Sequence, residues 1–320
     1  MVIEILGLVG AFTLTFITYP KFIRYLESRD TQQQVSEYAL EAFKNKKKTP
    51  TFGGLLFVVV PSLVMILLNG FKIDRSLFLL VFVFCIYALI GFIDDYKIVT
   101  EGKNDGLTPK TKMGFQLLFS LVFYGIYIST GGTNTLKIPF ITQAIDLGYL
   151  YIPFIMFLFS GASNAVNLTD GMDGLAGGTM VIALIPFAYL AYDQNESGVL
   201  LFILALIGGL LAFLMFNKKP AQIFMGDVGS LALGAALAGI SVLLDAEMLL
   251  VVIGGVFVFE TLCVIIQKIS WKTRHKRVFK YTPIHYSFTL SGWKEADVVN
   301  LFYAIGLICM VLGFVLIALS

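Results

Sequence analysis

A few short stretches of this chain carry nearly all of its chemistry. "GFIDDYK" holds the adjacent pair Asp94 and Asp95, and "NAVNLTDGMDGLAGG" holds Asn164, Asn167, Asp170 and Asp173. "FMGDVGS" sets Asp227 among Gly226 and Gly229, and "KNKKKTPTFGG" offers Lys46, Lys48, Thr49 and Thr51 ahead of Gly53 and Gly54. "KRVFKYTPIHYSF" contains His285, one of 2 histidines in the chain. Carboxylates beside lysines and glycine-rich helix starts suit a Mg²⁺–phosphate site. Mg²⁺ takes one or two carboxylates, keeps waters and binds substrate phosphates. Helix N-termini add backbone donors for those phosphates.

Each feature also has a plainer reading. Asp94 and Asp95 are equally compatible with a solvated helix end, although acid at a helix C-terminus opposes the macrodipole. Asp170, Asp173 or Asp227 could cap the helix that follows. Capping accounts for one aspartate but not for two aspartates and two asparagines together. Asn167, Asp170 and Asp173 are spaced i, i+3, i+6, which puts them near one face if the segment is helical. Lys97 and Lys112 flank the loop after the Asp pair, where positive charge is ordinary at a membrane surface. Glu260 and Gln267 lie seven apart on one helical face. An acid inside an apolar run is a functional candidate by default, or else a buried structural acid.

The elements that must position these residues are membrane spans. The 320 residues are 58% hydrophobic and 14% charged, against about 25% charge in a soluble domain. A span needs about 20 mostly apolar residues. About ten runs qualify, near 2–22, 52–69, 76–93, 113–130, 147–166, 175–192, 198–216, 228–244, 248–268 and 298–319. Only helices and closed barrels satisfy their backbone in lipid, so the expected fold is all-α and polytopic, a single integral membrane domain over 1–320. "MVIEILGLVGAF" lacks a basic n-region and a small-residue cleavage site, and reads as a first span rather than a signal peptide. Cys85, Cys263 and Cys309 each sit in an apolar run, with no disulfide or zinc spacing.

Of the 23 basic residues, all but Lys72, Arg75 and Lys137 fall on the odd-numbered connections and their helix ends. The positive-inside rule then places those connections in the cytoplasm and both termini outside. Every stretch quoted above lies on that same face. The late segment "SGWKEADVV" could add a short amphipathic piece started by Ser291 or Gly292.

These motifs, in this order, resemble the polyprenyl-phosphate N-acetylhexosamine-1-phosphate transferases. The resemblance covers roughly Lys44 to Val299. "NLTDGMDGLAGG" and "FMGDVGSLALG" mark the superfamily, and the closing "PIH…F…GW.E..VV" is most similar to its phospho-N-acetylmuramoyl-pentapeptide branch. The resemblance implies transfer of phospho-N-acetylmuramoyl-pentapeptide from a UDP-linked donor to undecaprenyl phosphate, with Mg²⁺, giving lipid I and UMP. It implies a bacterial cytoplasmic membrane protein, embedded in the lipid bilayer as a homodimer, with its active site facing the cytoplasm and no nucleic-acid partner.

Carried over residue by residue, Asp94, Asp95, Asp227 and His285 are the expected catalytic set, with Asp227 a Mg²⁺ ligand. Lys46, Thr51, Lys97 and Lys112 match phosphate-handling positions. Asn167 and Asp170, joined here by Asp173, match the nucleotide side, Phe224 the ring that stacks on uracil, and Gln267 a polar group of the same cleft. Two departures stand out. The family usually shows three consecutive histidines where this chain has His285, Tyr286 and Ser287, and a Met where it has Phe52. A sibling transferase using UDP-N-acetylglucosamine is the nearest alternative reading. A secondary transporter is a remote one, because it calls for charged groups deep in several spans.

Overall fold

A computed structural model describes residues 1–29, 31, 49–70, 74–101, 106–141 and 143–319. The protein is all-α. The helices are α1 (Val2–Ser28), α2 (Gly54–Leu68), α3 (Arg75–Glu101), α4 (Pro109–Ser129), α5 (Tyr151–Thr169), α6 (Leu175–Asp193), α7 (Ser197–Asn217), α8 (Gly226–Leu243), α9 (Glu247–Ile253), α10 (Gly255–Arg274), α11 (His285–Thr289) and α12 (Glu295–Leu319). Among the described residues the only strands are β1 (Thr135–Leu136) and β2 (Ile145–Asp146), an antiparallel pair between α4 and α5.

Eight of the described helices are long and apolar enough to cross a bilayer, and the bent pair α9 and α10 makes nine. The tenth expected run is the 15-residue α2. At 1.5 Å per residue it is about 22 Å long, short of the roughly 30 Å hydrocarbon core. Its expected start is not helical, because Phe52 takes a φ of 74°, outside the right-handed helical region, and the first N–H groups of the helix that follows pair with the loop before α8. Gly53 N–H donates to the Phe224 carbonyl and Gly54 N–H to that of Met225, both at 2.8 Å.

Three other expectations change. The run 248–268 is not one straight helix: α9 and α10 meet at 82°. Gly254 closes α9, and Gly255 opens α10 so close to Cys309 that a Cβ there would lie 2.7 Å from its Sγ. Glycine pairs are a recognised cause of sharp breaks. Asp94 and Asp95 do not end their helix, since α3 continues to Glu101. The late segment makes no separate amphipathic piece, because its "EADVV" forms the first turns of α12.

The core centres on α8, which is buried along most of its length and packs against α2, α3, α5 and α9. Small residues allow this. A Cβ on Gly91 of α3 would overlap the carbonyl of Asp227, one on Gly54 of α2 the backbone of Gly229, and one on Gly234 of α8 the carbonyl of Ala162 on α5. Close backbone approach of this kind is how membrane helices associate without a hydrophobic driving force. One cluster joins α8 side chains such as Val228 and Ile240 to those of α1, α2, α6 and α7, including Tyr19, Phe57, Phe202 and Phe213.

The Gly91 contact is with backbone, which cannot swing aside. Gly91→Ala should lower stability by about 1–3 kcal/mol, the usual cost of overpacking. Gly125→Ala on α4, where nothing lies within 4 Å, should leave the melting midpoint unchanged or raised. Heat denaturation of the two detergent-solubilised variants checks the contrast, and equal midpoints would contradict it.

Candidate active site

The starts of α2, α4, α6, α8 and α12 and the ends of α3, α5, α7 and α10 alternate along the chain, so they lie at one end of the bundle. Thr108 begins α4 by accepting from Thr111 N–H at 3.2 Å, with Pro109 in the first turn, a standard helix start. One turn on stands Lys112. The register of α4 is fixed by Gln116, whose carbonyl accepts from Tyr87 OH at 2.7 Å and whose side chain accepts from Asn164 at 2.9 Å. That links α4 to both α3 and α5.

Lys112 Nζ lies 2.6 Å from Asp227 Oδ2 and 3.0 Å from Asp94 Oδ2. The other oxygen of Asp227 accepts from Asn167 Nδ2 at 2.7 Å, and the same amide donates to Ser230 Oγ at 2.9 Å. Asp94 Oδ1 accepts from Leu107 N–H at 2.7 Å. Asp95, buried, accepts from Val228 N–H at 3.1 Å. Ligand oxygens of Asp94, Asp95 and Asp227 all fall within 4.8 Å of one another. The buried Thr51 completes the group, because a Cβ on Gly226 would meet both Thr51 Oγ1 and Asp95 Oδ2. Lys97 stands at the rim and donates to the Gly106 carbonyl at 3.0 Å.

Asn167, Asp170 and Asp173 do not share a helical face. Helix α5 ends at Thr169 with Asp170 as its C-cap, and a turn follows. The residue that opens α6 is Gly174, with φ of 82°, rather than an aspartate. Asp173 is buried in that turn. Its carboxylate accepts from Ala221 N–H at 3.2 Å and its own N–H donates to Glu295 at 3.1 Å, tying the turn to the loop before α8 and to α12. Phe224 is held through its backbone, its N–H donating to the Pro50 carbonyl at 2.9 Å.

Gln267 stands apart from the carboxylates. Its Oε1 accepts from Val278 and Phe279 N–H, each at 3.0 Å, pinning the loop after α10. His285 is fully buried against Glu260 of α10, Nδ1 to Oε1 2.9 Å. Lys46 lies outside the described residues.

The departures from the family pattern have local explanations. Tyr286 OH donates to the Gly171 carbonyl at 3.1 Å. Burial, and then the negative charge of Asp170, holds that phenol above its ordinary range, so it stays a donor. Ser287 Oγ accepts from Tyr281 N–H at 2.9 Å and donates to the Tyr281 carbonyl at 2.6 Å. Phe52 packs on Phe92, ring centroids 5.5 Å apart. Sequence reasoning missed Ser230, Gln116, Asn217 and Glu295. Asn217 bridges Gly174 N–H and the Ile223 carbonyl at 2.9 and 2.8 Å. Ser230, Asn217 and Glu295 are polar residues in the terminal turns of helices and Gln116 lies two turns into α4, each a weak signal without its partner in view.

The sequence profile described as glycosyl transferase family 4 matches residues 77–245. Over 313 residues the chain is 44% identical to the phospho-N-acetylmuramoyl-pentapeptide-transferase of Oceanobacillus iheyensis, covering 97% of this chain and 96% of that protein. The chain belongs to this family. The protein of the same name from Anoxybacillus flavithermus is 44% identical over 305 residues, 95% of this chain and 94% of that one. That of Bacillus subtilis is 42% identical over 304 residues, 94% of each. The match thus spans α1 to α12, the carboxylate cluster and the late loop together.

In this family member Lys112 is the counter-ion of two crowded carboxylates. Removing it should expose their repulsion. In metal-free buffer Lys112→Met should lower stability by about 1.5–3 kcal/mol, the usual worth of charge-assisted hydrogen bonds, and Lys112→Arg by less. Melting curves with a chelator present test this, and a wild-type midpoint for Lys112→Met would contradict it.

Proposed function

We propose that the protein transfers phospho-N-acetylmuramoyl-pentapeptide from its UDP-linked donor to undecaprenyl phosphate, yielding lipid I and UMP, the first membrane step of peptidoglycan synthesis. The observation that carries this reading is a near-full-length match to transferases of that name, in a chain whose carboxylates and lysine converge at one end of a membrane bundle. The protein acts as a single domain of a bacterial cytoplasmic membrane, with the site turned to the cytoplasm. The concentration of basic residues on that end supports the orientation. The resemblance extends the proposal to a homodimer.

An oxygen of the lipid phosphate attacks the phosphorus that carries the sugar. A new P–O bond forms, the bond from that phosphorus to the bridging oxygen breaks, and UMP leaves with the electron pair. In phosphoryl transfer the protein contributes positioning and charge neutralisation. A dedicated base is of little use, because a phosphate monoester with a second pKa of about 6 is already largely ionised near neutral pH. Asp94 therefore aligns the acceptor rather than deprotonating it. Lys112 and Lys97 offer positive charge to the phosphates, Phe224 a ring to the uracil, and Asn167 and Asp170 polar groups to the nucleotide.

The donor set fits Mg²⁺. Three carboxylates lie within reach of one another, hard oxygen ligands of the kind this ion takes. A cation, the Lys112 ammonium, already sits between two of them. Asp227 would hold the ion, with Asp94 and Asp95 beside it, and when bound it supplies charge stabilisation to the diphosphate.

Purified protein given undecaprenyl phosphate and Mg²⁺ should release UMP from UDP-N-acetylmuramoyl-pentapeptide and not from UDP-N-acetylglucosamine. Release from the second donor alone would move the chain to the sibling activity. Asp94→Asn, Asp95→Asn and Asp227→Asn should each cut turnover by about 10²-fold or more while the protein still folds. Near-normal turnover in any one would remove that residue from the site.

A further inference from the structure

Glu260 is an acid with no exposed surface, placed on α10 among apolar neighbours. Its two oxygens are fully engaged by the late loop. Oε2 accepts from Ile284 N–H at 2.8 Å, while Oε1 accepts from His285 N–H at 3.3 Å and meets His285 Nδ1 at 2.9 Å. Each oxygen thus serves as acceptor toward a backbone N–H, which leaves the ring nitrogen as the donor. A neutral ring that donates through Nδ1 carries its lone pair on Nε2.

That second nitrogen is buried and has no hydrogen-bond partner among the described residues. It points at Gly171, where an added Cβ would overlap it. The neighbouring Tyr286 ring lies 4.2 Å from the His285 ring, centroid to centroid, and its OH holds the Gly171 carbonyl. Gly171 follows Asp170, the C-cap of α5, the helix that carries Asn167 into the carboxylate cluster. An unpartnered buried acceptor is costly, because it gives up its bonds to water without replacing them. Such a group in a folded protein calls for a structural or functional reason.

We propose that Glu260 is a positioning residue for transfer. It fixes His285 in the Nδ1–H tautomer and seats the bare Nε2 against the Gly171 turn, which closes α5 beside Asn167 and Asp170. The same logic orients the histidine of a serine-protease triad, where the carboxylate sets the tautomer without touching substrate. The inference rests on the transferase reading for its kinetics but not for its tautomer.

The scarcity of histidine makes the test clean. His275 is exposed, so His275→Gln leaves one ring to observe. In ¹⁵N-histidine-labelled His275→Gln protein, NMR should report a protonated Nδ1 and a bare Nε2. A proton on Nε2 overturns the proposal, and this arm needs no change at Glu260. Kinetically, Glu260→Gln should lower kcat by about 10–100-fold, as loss of an orienting partner does. In a His285→Ala background it should cost nothing further, because it acts only through that ring. Additive losses, or a Glu260→Gln enzyme with wild-type kcat, overturn it. Silence of the wild-type enzyme with both donors would sink the transferase reading while the tautomer result still stands.

Discussion

The ammonium of Lys112, seated between Asp94 and Asp227, is the contact on which the rest of the site depends. Three carboxylates with oxygens inside 4.8 Å of one another repel strongly. Two unit charges about 4 Å apart interact by roughly 4 kcal/mol at the effective dielectric typical of protein surfaces. One lysine offsets part of that, and a bound cation would offset more. Gly91 lets α3 lie directly on the carbonyl of Asp227 at the start of α8, which brings the Asp pair up against Asp227.

The remaining architecture holds that crowded point in register. Gln116 and Asn164 lock α4 to α5, while Asn167 reaches from α5 to Asp227. The turn between α5 and α6 is fastened from three sides, by Asn217 at Gly174, by Glu295 at Asp173 and by Tyr286 at Gly171. Glu295 itself pairs with Lys219 at 2.8 Å. Residues far apart in sequence thus brace one end of the bundle, and the long apolar lengths of the helices give that end a rigid footing. Polar groups of this kind are worth most where water is scarce, since an unmet partner has no substitute.

Much of this was legible in the chain itself. The apolar runs are unbroken enough to give the spans, and the bias of basic residues to alternate connections collects the motifs on one face. Asp94, Asp95, Asp227, Asn167, Lys112 and Thr51 do come together. Three features stayed hidden for physical reasons. The 82° break at Gly254 leaves no mark on hydropathy, since glycine is as acceptable in a continuous membrane helix as at its end. The turn after Thr169 was hidden because an i, i+3, i+6 spacing reads as helix until Gly171 and Gly174 are seen to end it. The tie from Glu260 to His285 spans 25 residues, and nothing local to either residue announces the other.

On the proposed function, Asp94, Asp95 and Asp227 form one cation-binding group that serves the transfer. Mn²⁺ titration of the purified protein, followed by electron paramagnetic resonance, tests it most directly. One saturable ion per chain is expected, displaced by Mg²⁺ and lost in Asp227→Asn. Saturable binding that survives in Asp94→Asn, Asp95→Asn and Asp227→Asn alike would contradict it.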